Sequence, residues 1–174
     1  MEVETKILEI NVEETRKKIE ALGAKQIYDA LQESRIFEFP PDSNIASECF
    51  LRVRKIGDKV ELTYKGPKKK TGNVKSREEI ETHVEDFDRM IKILKNIGFV
   101  ATRSYKKHRI EYKLGKISFE IDNFPDLPVP PWLEIEAPSK KEAEETARKL
   151  GFKKEDMKSY GGTELLAHYN IHTN

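Results

Sequence analysis

Polar and hydrophobic residues alternate along most of the chain, which is the pattern of a half-buried β-strand. At the N-terminus, Glu2, Glu4 and Lys6 alternate with Val3, Thr5 and Ile7. Further extended segments are predicted at residues 25–39, 49–57, 59–66, 74–84, 100–114, 116–124 and 132–138. Short turns such as Gly57-Asp58 join neighbouring segments. The pattern therefore predicts about eight strands connected mainly by hairpins, and so a mainly antiparallel sheet.

Helical spacing replaces the alternation in three places. The predicted helices span residues 12–22, 86–97 and 139–150, and a shorter fourth helix is predicted at 160–169. Asn11, Asp86 and Ser139 are suited to cap the first three, because their side chains can accept a hydrogen bond from the first helical turn. The predicted fold is an α+β domain spanning residues 1–174, with enough strands to close a barrel.

Composition narrows the class of protein. The 174 residues include 32 Lys and Arg and 31 Asp and Glu, which gives a formal net charge of +1. This balance predicts no general attraction to nucleic acid or to an anionic membrane, and the basic segment 67–73 is predicted to be a solvated turn. The single cysteine, Cys49, excludes an internal disulfide and a Cys-rich metal site. Without a signal-peptide pattern or a long apolar run, the expected location is the cytoplasm.

One face of strand after strand is charged at a period of two. Its members are Glu2, Glu4, Lys6, Arg52, Arg54, Glu61, Thr63, Lys65, Lys75, Arg77, Glu79, Glu81, Lys107, Arg109, Glu111, Lys113, Glu120, Asp122, Glu134 and Glu136. The other face is apolar, as at Val53, Phe119 and Ile135. For any one strand, a solvated outer face is the simpler interpretation. Repeated Arg-x-Arg and Glu-x-Glu pairs favour a closed sheet with its charges inside and helices covering its apolar outside.

Charges inside a barrel cost several kcal/mol each unless they are paired or hold ligands. Acidic and basic clusters in one cavity suit a polyphosphate bound with a divalent metal. Carboxylate oxygens bind Mg²⁺ or Mn²⁺, and Arg and Lys bind phosphate oxygens. The chain has no Walker loop and no dinucleotide glycine motif, so side chains would have to hold the phosphates.

The segment Glu2-Val3-Glu4-Thr5-Lys6 resembles the Glu-x-Glu-x-Lys signature of the CYTH superfamily, the triphosphate tunnel metalloenzymes. That superfamily includes class IV adenylate cyclases and thiamine triphosphatases. Further matches follow in the expected order: Leu51-Arg52-Val53-Arg54, Leu62-Thr63-Tyr64-Lys65-Gly66, Arg77-Glu78-Glu79, Lys107-His108-Arg109, Phe119-Glu120-Ile121-Asp122, Leu133-Glu134-Ile135-Glu136, and Ser159-Tyr160 before Glu164-Leu165-Leu166. The resemblance covers essentially the whole chain.

The resemblance implies a closed eight-stranded antiparallel tunnel with a triphosphate along its axis. It implies metal ligands at Glu2, Glu4, Glu134 and Glu136, with Asp122 or Glu120 serving a second ion. It implies phosphate ligands at Lys6, Arg52, Arg54, Lys65, Lys107 and Arg109. Arg77 would also bind phosphate, and Glu79 would orient its neighbours. Lys6 is the candidate base or water-orienting group.

The sequence also departs from the family pattern. Where members commonly have Gln-x-Asp-x-Tyr-Phe in the second strand, this chain has Gln32-Glu33-Ser34-Arg35-Ile36-Phe37, without the acid and the tyrosine. A proline-rich link, Pro125 to Pro131, replaces a Gly-rich turn. An extended Gly161-Gly162-Thr163 segment is expected to reshape the lid over one mouth.

Two reactions fit these residues. In cyclisation, the ribose 3′-hydroxyl of ATP attacks the α-phosphorus, which gives cyclic AMP and pyrophosphate; in hydrolysis, water attacks the terminal phosphorus. The chain length and its ending resemble class IV cyclases slightly more. The alternatives are a triphosphatase acting on inorganic triphosphate, thiamine triphosphate or a nucleoside triphosphate, and a non-catalytic polyphosphate- or nucleotide-binding module. The expected partner is a small-molecule triphosphate, without nucleic acid or membrane, and a homodimer is left open.

Overall fold

A computed structural model describes residues 2–45 and 48–171, and the side chain of Glu2 lies outside the described part. Within it, the strands are β1 (Glu2–Ile7), β2 (Lys25–Glu38), β3 (Phe50–Ile56), β4 (Lys59–Lys65), β5 (Lys69–Thr71), β6 (Val74–Arg77), β7 (Glu79–Val84), β8 (Val100–Leu114), β9 (Ile117–Asn123), β10 (Trp132–Ala137) and β11 (Met157–Lys158). The helices are α1 (Val12–Ala21), α2 (Phe87–Asn96), α3 (Lys140–Lys149) and α4 (Gly162–His168), with a 3₁₀ turn at Lys154–Asp156. Every helix in these residues is too short to cross a membrane.

The paired strands form one antiparallel sheet in the order β5-β6-β1-β10-β9-β8-β2-β3-β4-β7, with β11 also paired to β1. Its ends meet through residues 74–84, because β6 pairs with β1, β7 pairs with β4, and only Glu78 separates β6 from β7. The Gly66 amide, just after β4, donates to the Glu78 carbonyl at 2.9 Å. With β6 and β7 counted as one bent strand, the barrel wall is β1, β10, β9, β8, β2, β3, β4 and β6–β7. The eight-stranded antiparallel architecture predicted from the sequence is confirmed.

The apolar face of the strands lies outside the barrel and is covered by helices over two regions. Ile19 of α1 and Ala143 of α3 join a buried cluster with Phe119 and Ile135. On another side, Leu94 of α2 packs in a cluster with apolar residues of β2, β3 and β4. As predicted, Asn11, Asp86 and Ser139 cap α1, α2 and α3, each accepting a hydrogen bond from a backbone amide of the first turn. Burial of this outer face leaves the alternate, charged residues to line the interior.

Three details differ from the sequence-based expectation. Residues 67–73 are not only a turn, since Lys69–Thr71 pairs with β6 around Gly72, which has a φ of +65°. The predicted strand 74–84 is interrupted at Glu78, which lets its two halves pair with different neighbours. Ile80, expected on a helix-covered face, is 60% exposed, whereas Val84 at the other end of β7 packs on the cluster that includes Leu94 of α2. These features depend on pairing between distant strands.

Candidate active site

The barrel encloses a cavity of about 1370 Å³ that is lined mainly by the charged face of the strands. The predicted site residues that line it are Glu4, Lys6, Arg52, Arg54, Lys65, Arg77, Lys107, Arg109, Glu134 and Glu136. Asp122 lies behind this lining and is fully buried. The side chain of Glu2, a predicted metal ligand, lies outside the described part of the structure. Glu79 and Glu120 line it as well, so the structure brings together twelve of the fourteen predicted site residues around one space, with Asp122 directly behind them.

Lys6 lies between two buried carboxylates. Its Nζ is 2.8 Å from Glu4 Oε1 and 2.8 Å from Glu134 Oε2. Lys75 Nζ contacts the same oxygen of Glu4. Burial disfavours the charged ammonium, but the carboxylates of Glu134 and Glu4 outweigh it and raise the pKa of Lys6. Lys6 is therefore held as a cation in this arrangement.

Two groups of carboxylates are close enough to share a metal ion. One oxygen each from Glu4, Glu134 and Glu136 lie within 4.8 Å of one another, and Glu120, Asp122 and Glu134 form a second set with the same property. Oxygen donors of this kind suit Mg²⁺ or Mn²⁺. Glu120 Oε2 is buried without a hydrogen-bond partner, so it retains capacity for a further ligand. The donor chemistry fits the metal that the sequence predicts.

Asp122 is less available than the other acids because two cations hold it. Arg109 binds it through Nε at 2.7 Å and through Nη2 at 2.8 Å. Lys107 Nζ lies 2.9 Å from Asp122 Oδ2. Burial opposes ionisation, but Arg109 and Lys107 lower the pKa of Asp122. Arg109 also contacts Glu120, so these predicted phosphate ligands are tied to acids of β9.

The opposite wall, formed by β3 and β4, carries positive charge that the protein only partly compensates. Arg52 Nη2 is 3.2 Å from Thr63 Oγ1 and 3.8 Å from Glu81 Oε2, and its buried Nε has no hydrogen-bond partner. Burial and the neighbouring Arg54 lower the pKa of Arg52. Burial and Arg52 likewise lower the pKa of Lys65. An anion bound at this wall would stabilise the charged forms of Arg52 and Lys65.

Arg54 differs from Arg52, because Glu61 on β4 binds its Nε at 2.8 Å and its Nη2 at 2.7 Å. Lys65 has one close carboxylate partner, Glu79, and the predicted orienting role of that acid stays a prediction. Arg54 and Lys65 therefore each have a close carboxylate partner, whereas the nearest ion-pair partner of Arg52 is Glu81 at 3.8 Å.

One mouth of the barrel is covered by α4. Glu164 accepts a hydrogen bond from the Gly161 amide at 2.7 Å and binds Lys68 Nζ at 2.9 Å. Lys70 Nζ also contacts Glu164. Lys70 is exposed, as a solvated segment predicts, but Lys68 and Lys70 both also form ion pairs with Glu164 of α4, which the sequence analysis did not anticipate. Leu165 of α4 is buried in the same apolar cluster as Trp132.

Arg77 lies towards this rim of the cavity. Its Nη2 donates to the Glu48 carbonyl at 3.3 Å, and its guanidinium lies 4.9 Å from the centre of the Phe50 ring. These contacts are with the rim, whereas Lys6 and Lys75 contact Glu4 of the acidic cluster, and the predicted phosphate contact of Arg77 stays a prediction.

Sequence reasoning left several interior residues without a role. Lys75 was on the charged face, but its contact with Glu4 depends on the pairing of β6 with β1. Tyr105 lines the cavity two positions before Lys107, and the same alternation could have identified it. Ser34 and Ile36 are buried on β2, where the family pattern has its acid and tyrosine. The tyrosine hydroxyl of the family pattern is therefore absent from position 36, and the hydroxyls that β2 brings to the cavity side are those of Tyr28 and Ser34.

A family model described as the CYTH domain matches residues 1–164. The chain belongs to the CYTH family. The family is metal-dependent and binds triphosphate substrates, and its members are adenylate cyclase-like or triphosphatase-like. Membership places the charged cavity in the context of triphosphate chemistry.

Individual relatives are consistent with this assignment. The chain is 32% identical over 136 residues, covering 78% of this chain and 76% of the relative, to a Methanocaldococcus jannaschii protein named "putative adenylate cyclase". Among solved structures, the PH1012 protein from Pyrococcus horikoshii OT3 has 34% identity and a TM-score of 0.78, with 95% of this chain and 99% of that one covered. A Hippeastrum protein described as a "putative adenylyl cyclase" with a dominant triphosphatase activity has 18% identity and a TM-score of 0.67, with coverages of 99% and 97%. At that identity, the Hippeastrum structure supports the fold alone.

Proposed function

We propose that this CYTH protein is a metal-dependent enzyme that acts on a triphosphate bound inside its barrel. The observation that carries the proposal is the arrangement of opposite charges around one cavity. The acids Glu4, Glu134 and Glu136 come from β1 and β10, whereas Arg52 and Lys65, buried cations whose pKa values are lowered, come from β3 and β4. A triphosphate with a divalent cation would satisfy both sides at once.

The residues of the chain would contribute mainly position and charge. Arg52 and Lys65 would bind phosphate oxygens, and the Arg109–Lys107 pair would do so from the other side while Asp122 holds it in place. Glu4, Glu134 and Glu136 would hold the metal, which supplies Lewis-acid stabilisation of the phosphate charge when bound. Because its pKa is raised, Lys6 suits orienting a phosphate oxygen or an attacking group better than accepting a proton. Positioning and charge neutralisation provide most of the catalysis in phosphoryl transfer.

Cyclisation of ATP is the first candidate reaction. The relative from Methanocaldococcus jannaschii carries an adenylate cyclase name. The cavity also has an apolar stretch, with Ile27, Tyr28 and Ile56 in its lining, against which an adenine ring can pack. This surface supports a nucleotide as the substrate.

Hydrolysis of a triphosphate is the second candidate. The observation that favours it is the charge of the cavity lining, because the side chains of Arg52, Lys65 and Lys107 suit phosphate groups and not a base. Trp132, the one tryptophan of the chain, is 2% exposed and packs on Phe124 with ring centres 5.1 Å apart, so it offers little free surface for stacking.

A substrate panel separates the candidates. The protein is incubated with Mg²⁺ or Mn²⁺ and with ATP, inorganic tripolyphosphate or thiamine triphosphate, and the products are resolved by chromatography. Cyclic AMP with pyrophosphate indicates cyclisation, and orthophosphate indicates hydrolysis. If the protein binds all three compounds but converts none of them under any metal condition, the proposal of an enzyme is contradicted. The remaining interpretation is then a non-catalytic binding module.

The metal site is tested in the same assay with Glu136→Gln. We expect activity about 10- to 100-fold lower at limiting metal, with partial recovery as Mn²⁺ is raised, because a carboxylate ligand has become a neutral amide. Glu145→Gln is the matched control, since Glu145 lies on α3 outside the barrel. Normal turnover of Glu136→Gln at limiting metal would show that this acid holds no metal.

A further inference from the structure

The barrel interior contains a phenol that the reaction described above does not use. Tyr105 lies on β8 two positions before Lys107, and therefore on the same inward face. It lines the cavity and is paired across the sheet with Ser34 of β2. Its hydroxyl is thus directed into the space that the phosphate-binding cations surround.

The ring of Tyr105 is held in a defined orientation. It packs edge-to-face against Phe124, with ring centres 5.8 Å apart and an interplanar angle of 90°. Its hydroxyl is hydrogen-bonded with the side chain of Ser34, which is itself buried. A phenol fixed at both its ring and its hydroxyl loses little conformational freedom when a ligand arrives, and this favours a role in binding.

The charges around Tyr105 are cations. Burial opposes its ionisation, yet Arg52 and Lys107, together with Lys65, lower the pKa of Tyr105. These three residues are proposed phosphate ligands, and two of them, Arg52 and Lys65, are buried cations of the β3–β4 wall. A phenol in such a positive field is a strong hydrogen-bond donor to an anion.

We propose that the Tyr105 hydroxyl donates a hydrogen bond to a phosphate oxygen of the triphosphate, and so binds and positions the substrate together with Arg52 and Lys107. This inference rests on the proposed function. It predicts a residue that contributes to recognition of the phosphate chain without carrying charge itself.

The test is Tyr105→Phe, which removes the hydroxyl and keeps the ring that packs on Phe124. We expect the calorimetric affinity for inorganic tripolyphosphate with Mg²⁺ to fall about 10- to 150-fold, the range for a hydrogen bond to a charged group. The melting temperature without ligand should change little. Tyr64→Phe is the matched control, because Tyr64 lies outside the barrel, where its hydroxyl contacts Cys49 Sγ.

A second measurement separates binding from a purely structural role. Addition of tripolyphosphate should perturb the ultraviolet absorbance of tyrosine in the wild type and in Tyr64→Phe, and this signal should be lost in Tyr105→Phe. If Tyr105→Phe does not fold, the wild type and Ser34→Ala carry the test, since loss of Ser34 should weaken the same spectral change.

The outcomes distinguish the two proposals. If the wild type binds no tripolyphosphate in the presence of Mg²⁺, the proposed function fails. If the wild type binds it and Tyr105→Phe binds it equally well, the proposed function stands and the role of Tyr105 is overturned. A wild-type complex without any tyrosine perturbation would also overturn that role.

Discussion

Lys6 and Arg52 are both buried cations inside the barrel, but their surroundings act on them in opposite directions. Lys6 is 2.8 Å from each of two carboxylates, and its pKa is raised. The nearest carboxylate to Arg52 in an ion pair, that of Glu81, is 3.8 Å away, and burial with the neighbouring Arg54 lowers the pKa of Arg52. Both residues lie on an inward strand face, so the opposite shifts of their pKa values come from the charged residues next to them.

The two walls of the cavity therefore differ in how completely the protein balances their charges. On the β1–β10 side, the protein supplies its own counter-charges, and a metal ion would compete with Lys6 for Glu4 and Glu134. On the β3–β4 side, the positive charge lacks a complete internal partner, and an anion would improve its environment. Removing a cation should therefore harm the free protein on the first wall and harm ligand binding on the second.

The largest expected effect is that of Lys6→Met. This substitution leaves Glu134 without its close cation, and Glu4 with only Lys75. Loss of one partner from a buried ion pair costs about 3–5 kcal/mol, so we expect a decrease of that size in the free energy of unfolding. Urea denaturation measures it in the absence of ligand.

Lys106→Met is the matched control for Lys6→Met, because Lys106 is an exposed lysine of β8. Its free energy of unfolding should stay within about 0.5 kcal/mol of the wild type. Mg²⁺ should restore part of the stability of Lys6→Met by neutralising the same carboxylates. A loss below about 1 kcal/mol without Mg²⁺, at the level of an exposed ion pair, would mean that Lys6 is not the main counter-charge of this wall.

Arg52→Met should weaken ligand binding without destabilising the free protein, which is the reverse of the effect expected for Lys6→Met. We expect the affinity for tripolyphosphate with Mg²⁺ to fall by about 1.5–3 kcal/mol, or about 10- to 150-fold, because a charge-assisted contact is lost. The free protein should be no less stable, because the cost of burying an incompletely paired cation is removed as well. Calorimetry and the melting temperature without ligand report the two quantities separately.

Arg35→Met controls for the loss of an arginine, since Arg35 lies on the outside of the barrel with Glu33 at 3.0 Å. It should leave tripolyphosphate affinity unchanged. If Arg52→Met binds as tightly as Arg35→Met, the β3–β4 wall is not the phosphate site and the contrast between the walls has no functional meaning.

The strand pattern was predictable from the sequence because each long strand repeats its alternation several times. The charges of β3 and β10 are separated by single apolar residues, and those of β1 by Val3 and Thr5, and this places them on one face without knowledge of the neighbouring strands. The short strands β5 and β11 contain three and two residues, which is too few for a period to appear. Their presence depends on pairing with β6 and β1.

The sequence also predicted which residues lie in the site better than it predicted which of them form ion pairs with each other. Alternation places Arg52 and Arg54 together in the cavity, but it does not distinguish between them. Glu61 lies opposite Arg54 in the β3–β4 register and binds it at two nitrogens, whereas Thr63 lies opposite Arg52. The difference in charge balance follows from that register, which a single sequence with no partner strand assigned does not specify.

The smallest expected effect concerns Glu164, which extends the comparison to the rim of the barrel. The Gly161 amide, Lys70 and Lys68 bind this acid and, although burial opposes ionisation, lower the pKa of Glu164 from its ordinary 4.5 to about 2. The side chain is one-third exposed, so solvent screens these charges much more than those of Lys6. Glu164→Gln should keep the hydrogen bond from Gly161 and lose the ion pairs, at a cost of about 0.5–1 kcal/mol.

The effect of Glu164→Gln should depend on pH in a defined direction. A carboxylate with a lowered pKa in the folded protein contributes stability that is fully present above about pH 4.5 and is lost as the pH falls towards 2. The stability difference between wild type and Glu164→Gln should therefore be constant near neutral pH and shrink below about pH 4.5. Hydrogen exchange across α4 should be faster in the variant at pH 7. Glu145→Gln should leave it unchanged, because Glu145 is a partly exposed acid on α3, 4.0 Å from Lys141. Equal exchange in α4 for wild type and Glu164→Gln would show that the apolar contacts of Leu165 and Leu166 hold this helix without the lysines.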